Sequence, residues 1–258
     1  MIFRRIKAHV QKENWFAVGL DFLIVVVGVF IGLQVANWNE ARQTQEAATQ
    51  YEMRLRLDLK RDALNYVYLR EYYQGVLKAA DTAYDGLTGR IEISDADLLV
   101  AAYRASQYNW AERHRATFDE LVASGNLDLI EDRSFRTRVT AYYTMSLLEE
   151  TGQASMNSEY RRAFRMLAPP DLHAALGAQC GDREDDPARD QVFTIDYDCS
   201  FAWPSDEIAR YARLVRDNEE LLALLRLRIA NLNSREFELD GNYDYYGLDD
   251  FLKYGETP

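Results

Sequence analysis

Histidine and cysteine are the residues of this sequence most suited to metal or nucleophilic chemistry, and there are three of the first and two of the second. His114 lies in AERHRATFDE, beside Glu112 and Asp119, whereas His9 and His173 lie far from it in the sequence. A zinc site there would need ligands from elsewhere, because zinc takes three or four His, Cys or carboxylate ligands. We interpret His114 as a solvated helix-start histidine and His173 as a surface loop residue, and expect no metal.

Carboxylates at alternate positions resemble a calcium loop in one segment, at Asp240, Asn242 and Asp244. An EF-hand loop also needs Gly at its sixth place and Glu at its twelfth, where this chain has Tyr245 and Phe251. We interpret the segment as a solvated acidic turn. The GxSxG, P-loop, GxGxxG and HExxH signatures are absent from the sequence. We expect a non-enzymatic protein without a cofactor.

Residues 16–35 read FAVGLDFLIVVVGVFIGLQV, and Asp21 is the only ionisable residue among them. Twenty helical residues extend about 30 Å, the hydrocarbon thickness of a bilayer. Trp15 and Trp38 flank the run, where an aromatic belt would place them. A cleaved signal peptide is the alternative, but the small-x-small cleavage pattern is poor near the exit. The sequence predicts a transmembrane signal-anchor helix over residues 15–38.

Basic residues before the span predict its orientation. This arm, residues 1–14, holds one acid and four bases: Arg4, Arg5, Lys7 and Lys12. The positive-inside rule then places it in the cytoplasm, at the inner membrane of a bacterium, and residues 39–258 in the periplasm. The net charge of −12 divides into +3 for the arm, −1 for the span and −14 for residues 39–258. An acidic outer part excludes a general nucleic-acid binder, whereas the basic arm suits anionic lipid.

Three residues of the span are candidates for association with another helix. Gly28 and Gly32 form a GxxxG pattern, which lets two helices approach closely, although the same face could simply contact lipid. Placing the ionisable side chain of Asp21 inside a membrane span costs free energy. This side chain either reaches the cytoplasmic headgroups or makes a polar contact to a neighbouring span.

Cys180 and Cys199 lie in a stretch, residues 169–204, with few helical signals and a cluster of acids. We expect this stretch to be an irregular loop. An oxidising periplasm would let the cysteines form a disulfide worth roughly 3 kcal/mol in loop entropy. Two unrelated buried thiols are the alternative.

Apolar residues at helical spacing dominate the outer part. The exit segment has no Gly or Pro, so the span should continue as a helix. Capping patterns start at Ser94 and Thr117, and Asp132 is the expected N-cap of one helix reaching about Met166. Two stripes of mainly apolar residues, which we call seams, recur in steps of three and four. One runs from Leu59 to Leu87. The other runs from Ile208 to Leu232 in the last helix, which is expected to begin at Ser205, and includes the polar Asn218.

We therefore predict an all-α protein: one N-terminal transmembrane helix that continues into an antiparallel periplasmic helical bundle with a disulfide-stapled loop. A parallel coiled coil between chains is an alternative for the juxtamembrane segment. The acidic C-terminal tail has no seam and is a candidate interface, through Tyr243, Tyr245, Tyr246, Phe251 and Tyr254.

Two blocks, residues 14–42 and 118–143, resemble a family of bacterial single-span membrane proteins of unknown function. The first has an acid inside the span and an Asn-Trp-Asn-Glu exit; the second has the turn Glu-Leu-x-x-Ser-Gly-Asn-Leu, at residues 120–127. The blocks cover about a fifth of the chain. The resemblance implies the anchored architecture and no activity.

These features favour a membrane-anchored helical scaffold or accessory subunit that self-associates or joins an integral membrane partner. The alternative is a periplasmic bundle that senses a ligand and signals through a membrane partner. A periplasmic enzyme without a recognisable motif is the third hypothesis.

Overall fold

The computed structural model describes residues 15–145, 147–184 and 192–254, which are mostly helical. Helix α1 (Trp15–Leu87) is 73 residues long. The helix is continuous because residues 33–74 contain neither Gly nor Pro, the residues that most readily interrupt a helix. The predicted unbroken exit from the apolar segment is confirmed.

The first part of α1 is the one segment of the described chain that is long and apolar enough to cross a membrane. No part of this apolar stretch is buried against the rest of the molecule. Phe22, Phe30 and Ile31, for example, are all more than half exposed. Among the described residues, nothing buries these side chains.

The helices after α1 in the described residues are α2 (Asp95–Ala105), α3 (Ala116–Ala123), α4 (Arg133–Thr144), α5 (Leu147–Met156), α6 (Glu159–Leu167), α7 (Pro170–Cys180), α8 (Ser205–Arg216), α9 (Glu219–Tyr245) and α10 (Asp249–Leu252), with a 3-10 turn at Leu127–Leu129. Strands β1 (Arg183–Glu184) and β2 (Phe193–Thr194) pair antiparallel, with Arg183 opposite Thr194.

Helix α9 packs along the outer half of α1 in the opposite direction. Arg70 donates to Asp240 at 3.1 Å, and Gln74, one turn further along α1, donates to Glu236, one turn earlier in α9. The predicted antiparallel packing of the long helices is confirmed. Asp240 is thus an ion-pair partner on a helix, and not part of an acidic turn.

Several helix ends follow the local sequence. The Ser94 hydroxyl accepts from the backbone N of Asp97, and Asp132 accepts from the backbone N of Ser134 and Phe135, as the capping patterns predict. Gly125, with φ at +69°, follows α3 in the left-handed conformation that a helix end favours.

The predicted capping box at Thr117 is wrong. Helix α3 starts at Ala116, and the Thr117 hydroxyl donates to Asp58 at 2.6 Å. Glu120, its expected partner, instead accepts from Tyr51 and Arg54 on α1. Both side chains attach α3 to α1, so tertiary contacts replaced the local cap.

The expected single helix from Asp132 to about Met166 is wrong, because the chain there forms α4, α5 and α6. Met145 is extended after α4, with φ at −86° and ψ at 155°. The second break falls at Asn157 and Ser158, and Ser158 is the N-cap residue of α6. Tyr160 and Phe164 of α6 are buried.

Two further predictions are corrected near the C-terminus. Residues 169–204 are not irregular throughout, since they contain α7, which opens with Pro170 at its first position, and the strand pair. The last helix is two helices, because the Asn218 side chain accepts from the backbone N of Leu221 and caps α9. Asn218 therefore lies between α8 and α9 as a helix cap, and not within an apolar stripe of one helix.

Candidate functional site

The span residues chosen from the sequence lie on one exposed face of α1. Asp21, Gly28 and Gly32 are spaced by seven and four residues, which places them on the same side of a helix with 3.6 residues per turn. A Cβ atom at either glycine would meet nothing within 4 Å in the described part of the chain. The structure thus brings the three together on a surface that a second helix could reach.

Further along α1, the same side of the helix carries exposed apolar residues. Leu64 follows Gly28 by 36 residues, about ten turns, and Leu57 follows Asp21 by the same interval. Met53, Leu57 and Leu64 are 48%, 42% and 48% exposed. We call Asp21, Gly28, Gly32, Met53, Leu57 and Leu64 the open face of α1.

The bundle packs on the side of α1 opposite to the open face. Leu55 follows Gly28 by 27 residues, about seven and a half turns, and is fully buried. Leu59, Tyr66 and Tyr73 continue this buried side. Each residue of the open face is itself exposed in the described structure. Lys60, on the same side between Leu57 and Leu64, is half-buried and donates to the Tyr254 carbonyl at 2.9 Å.

Of the predicted membrane-interface residues, the structure places Trp38, which is exposed in α1. Arg4, Arg5, Lys7 and Lys12 lie outside the described residues, as does the Trp15 side chain. The part of α1 that follows the apolar segment faces the second resemblance block: Asn37 and Glu40 line one cleft with Asp128 and Glu131. The two blocks of sequence thus meet at the exit from the apolar segment.

The C-terminal aromatic residues are split between core and surface. Tyr246 and Phe251 are buried, and their rings contact Tyr142 and Phe135. They therefore fill the bundle, and an outward role for them is ruled out in this structure. Tyr243 and Tyr254 are half-buried, so Tyr245, at 77% exposed, remains the candidate contact residue of this group.

Cys180 and Cys199 form the expected disulfide. Next to it, Arg104 donates to the carbonyls of Cys180 and Tyr197, which fixes the stapled segment to α2. His173 is not a loop residue. It lies in the first turn of α7, with its ring against Tyr103 and Phe164.

A buried carboxylate that the sequence analysis missed organises an irregular segment, residues 107–115, which we call the pinned loop. Asp62 on α1 is fully buried and accepts from the backbone N of His114 at 2.8 Å, from His114 Nδ1 at 2.9 Å and from the Tyr142 hydroxyl at 3.0 Å. Because a carboxylate only accepts, Nδ1 carries the proton. Asp62 follows Leu59 by three residues, so the helical spacing already placed this acid on the buried side of α1 and could have indicated a buried carboxylate.

Other side chains attach the rest of the pinned loop to α1. Tyr73 donates to the Asn109 carbonyl at 2.7 Å, and the Asn109 amide donates to the Tyr68 hydroxyl. Asn65 donates to the Glu112 carbonyl at 3.2 Å. A segment without helix or strand is thereby held to α1 at several points of its backbone.

Electrostatics distinguish the two histidines. The hydrogen bond to Asp62 raises the pKa of His114 above its usual value, against partial burial. Burial, with the nearby Arg165 charge, lowers the pKa of His173, and its Nε2 has no hydrogen-bond partner in the described chain. His114 is thus a protonatable group near neutral pH, whereas His173 favours the neutral form.

No group of three or more His, Cys, Asp or Glu in the described residues is arranged to hold a metal ion. Compared with protein-family models, curated proteins and solved structures, the chain matches none of them.

Proposed function

We propose that this protein is a membrane-anchored helical scaffold that self-associates through the open face of α1. In this proposal the apolar start of α1 crosses the inner membrane of a bacterium, the basic arm stays in the cytoplasm, and the bundle lies in the periplasm. The length and hydropathy of that segment support the anchor. The arm's four bases support the orientation.

The observation that carries the proposal is the alignment of the open face across the membrane boundary. Gly28 in the span and Leu64 in the bundle lie on one side of a single helix, while the bundle packs on the other side. Small residues give close helix contact in lipid, where apolar burial gives no advantage. Outside lipid, exposed leucines gain from being covered. The glycines therefore favour helix contact in lipid, and the leucines favour helix contact in water.

A second copy in parallel orientation is the partner that fits this face. Its own Asp21, Gly28, Leu57 and Leu64 would lie at the same heights, so glycine meets glycine and leucine meets leucine. Between these levels, Arg42 and Glu46 are exposed on the same side of α1, at 2.9 Å from each other. In a parallel pair, each could bind the opposite charge on the other copy.

The mass of the full chain in mild detergent tests the proposal. We expect wild type to be an oligomer, and Gly28→Leu to weaken association by about tenfold, in line with 1–2 kcal/mol for helix contacts in membranes. Asp21→Asn reports whether the acid contributes. Gly19→Leu is the matched control, because Gly19 precedes Gly28 by nine residues, about two and a half turns, and lies on the opposite side. A monomeric wild type, or equal effects of both glycine variants, would overturn the proposal.

A further inference from the structure

A cleft of about 370 Å³ lies between the pinned loop and α5, apart from α1 and its open face. The loop contributes Tyr108, Trp110 and Glu112, and α5 contributes Glu149 and Met156. The volume falls within the range of about 300–1,000 Å³ that small-molecule sites occupy. None of its lining residues belongs to α1, so the self-association argued above does not use it.

The indole of Trp110 forms an open aromatic wall of this cleft. Trp110 is 57% exposed and makes no ring contact with another aromatic side chain in the described part of the protein. Gly152 lies against it: a Cβ there would be 2.7 Å from the Trp110 Cβ. Only a residue without a side chain allows the loop this close to α5, so the cleft depends on that contact.

The charge beside the indole is negative. Glu149 is neutralised by Arg113, whose Nε lies 2.8 Å from Oε1 and whose side chain is 5% exposed. Glu112 is exposed and makes no ion pair among the described residues. The cleft therefore combines one uncompensated carboxylate with an accessible aromatic face.

This combination selects a class of ligand. An aromatic face attracts cations, Trp most strongly, and a neighbouring carboxylate adds a charged hydrogen-bond acceptor. Met156, on the α5 side of the cleft, is apolar and suits a hydrocarbon group. Because the loop is held by Asp62, Asn65 and Tyr73, binding costs little ordering of the site.

We propose that this cleft binds a small organic ammonium ion, with its cationic group between Trp110 and Glu112 and its apolar part against Met156. A site of this kind would give the anchored bundle a ligand-dependent state. Anions are disfavoured by Glu112, and neutral apolar molecules lose the cation–aromatic attraction.

Phenethylammonium is a suitable probe, and neutral 2-phenylethanol of nearly the same shape is its control. Binding to the full chain in mild detergent is followed by isothermal titration and by tryptophan fluorescence, with Trp110→Phe identifying the Trp110 signal. We expect saturable binding of the ammonium ion and at least about tenfold weaker binding of the alcohol.

Variants separate recognition from folding. Glu112→Gln keeps the shape of an exposed side chain, so it should fold normally and weaken phenethylammonium binding by about tenfold. Glu159→Gln, an exposed glutamate on α6 outside the cleft, is the matched control and should bind as wild type. Absence of saturable binding up to about 10 mM, equal affinity for both probes, or an unchanged Glu112→Gln would each overturn the proposal.

Discussion

Asp62 Oδ1 accepts two hydrogen bonds from one residue, His114: the backbone N–H at 2.8 Å and the ring Nδ1–H at 2.9 Å. Tyr142 donates to the other oxygen at 3.0 Å. The carboxylate is fully buried in α1, while the His114 side chain is 40% exposed at the end of the pinned loop. One buried acid thus joins α1, the loop and α4.

Asp62→Ala should destabilise the protein strongly. It removes the acceptor of three hydrogen bonds at a buried site, which costs roughly 2–5 kcal/mol in the free energy of unfolding. Asp119→Ala is the control, because Asp119 pairs with Arg115 at the surface and both are about half exposed; it should cost less than about 1 kcal/mol. Urea unfolding of the two variants measures the difference. Similar losses in both would show that Asp62 does not organise the loop.

The His114–Asp62 pair predicts a pH dependence. The folded-state pKa of His114 is raised above its unfolded value of about 6.5. The stabilisation is therefore fully present below about pH 6.5 and is lost as the pH rises through the folded-state pKa. Because the ring is partly exposed, the effect should stay below about 1 kcal/mol.

NMR titration of the His114 ring gives this pKa directly, and thermal unfolding between about pH 6 and 8 follows its consequence. His114→Gln should lose the corresponding part of the pH dependence. A folded-state pKa at or below the unfolded value would contradict the account.

Reduction of the disulfide should lower the free energy of unfolding by about 3 kcal/mol, since the bond closes the loop between Cys180 and Cys199, which are 19 positions apart. Denaturant unfolding with and without reductant measures this, and Cys180→Ala with Cys199→Ala should match the reduced wild type. An unchanged unfolding midpoint after reduction would mean that Arg104 and the α7 packing hold the segment without the bond.

Two helical glycines should respond oppositely to alanine. A Cβ at Gly241 in α9 meets nothing within 4 Å, so Gly241→Ala should stabilise by about 0.5–1 kcal/mol through helix propensity. Gly152→Ala places a Cβ 2.7 Å from the Trp110 Cβ, and should destabilise by about 1–3 kcal/mol and alter Trp110 fluorescence. Thermal unfolding compares the two; a stabilised Gly152→Ala would contradict the contact between loop and α5.

Features set by local sequence were predictable, and those set by distant contacts were not. The unbroken helix α1, the caps at Ser94 and Asp132 and the antiparallel packing all follow from spacing or from local hydrogen bonds. The pinned loop has no periodic pattern, because its shape comes from α1 side chains more than 30 residues away in sequence. Sequence reasoning therefore gave no sign of the cleft beside it.

Helix breaks show the same division. Asn218 is followed by Glu219 and Glu220, an ordinary helix start, so a cap could have been predicted there in place of a seam residue. Met145 has no such local signal. Its sulfur contacts the Tyr246 hydroxyl, which reaches it from the C-terminal end of α9, and this tertiary contact accompanies the end of α4.

Cysteine cross-linking in membranes tests self-association through the open face most directly. The native cysteines are bonded to each other, so an added cysteine provides the only free thiol. Gln45 is exposed but lies about 100° around α1 from Gly28, which makes it the control for Met53 on the open face. We predict that Met53→Cys forms covalent dimers under mild oxidation and that Gln45→Cys remains monomeric. Equal cross-linking of both, or none with either Met53→Cys or Leu57→Cys, would contradict the account.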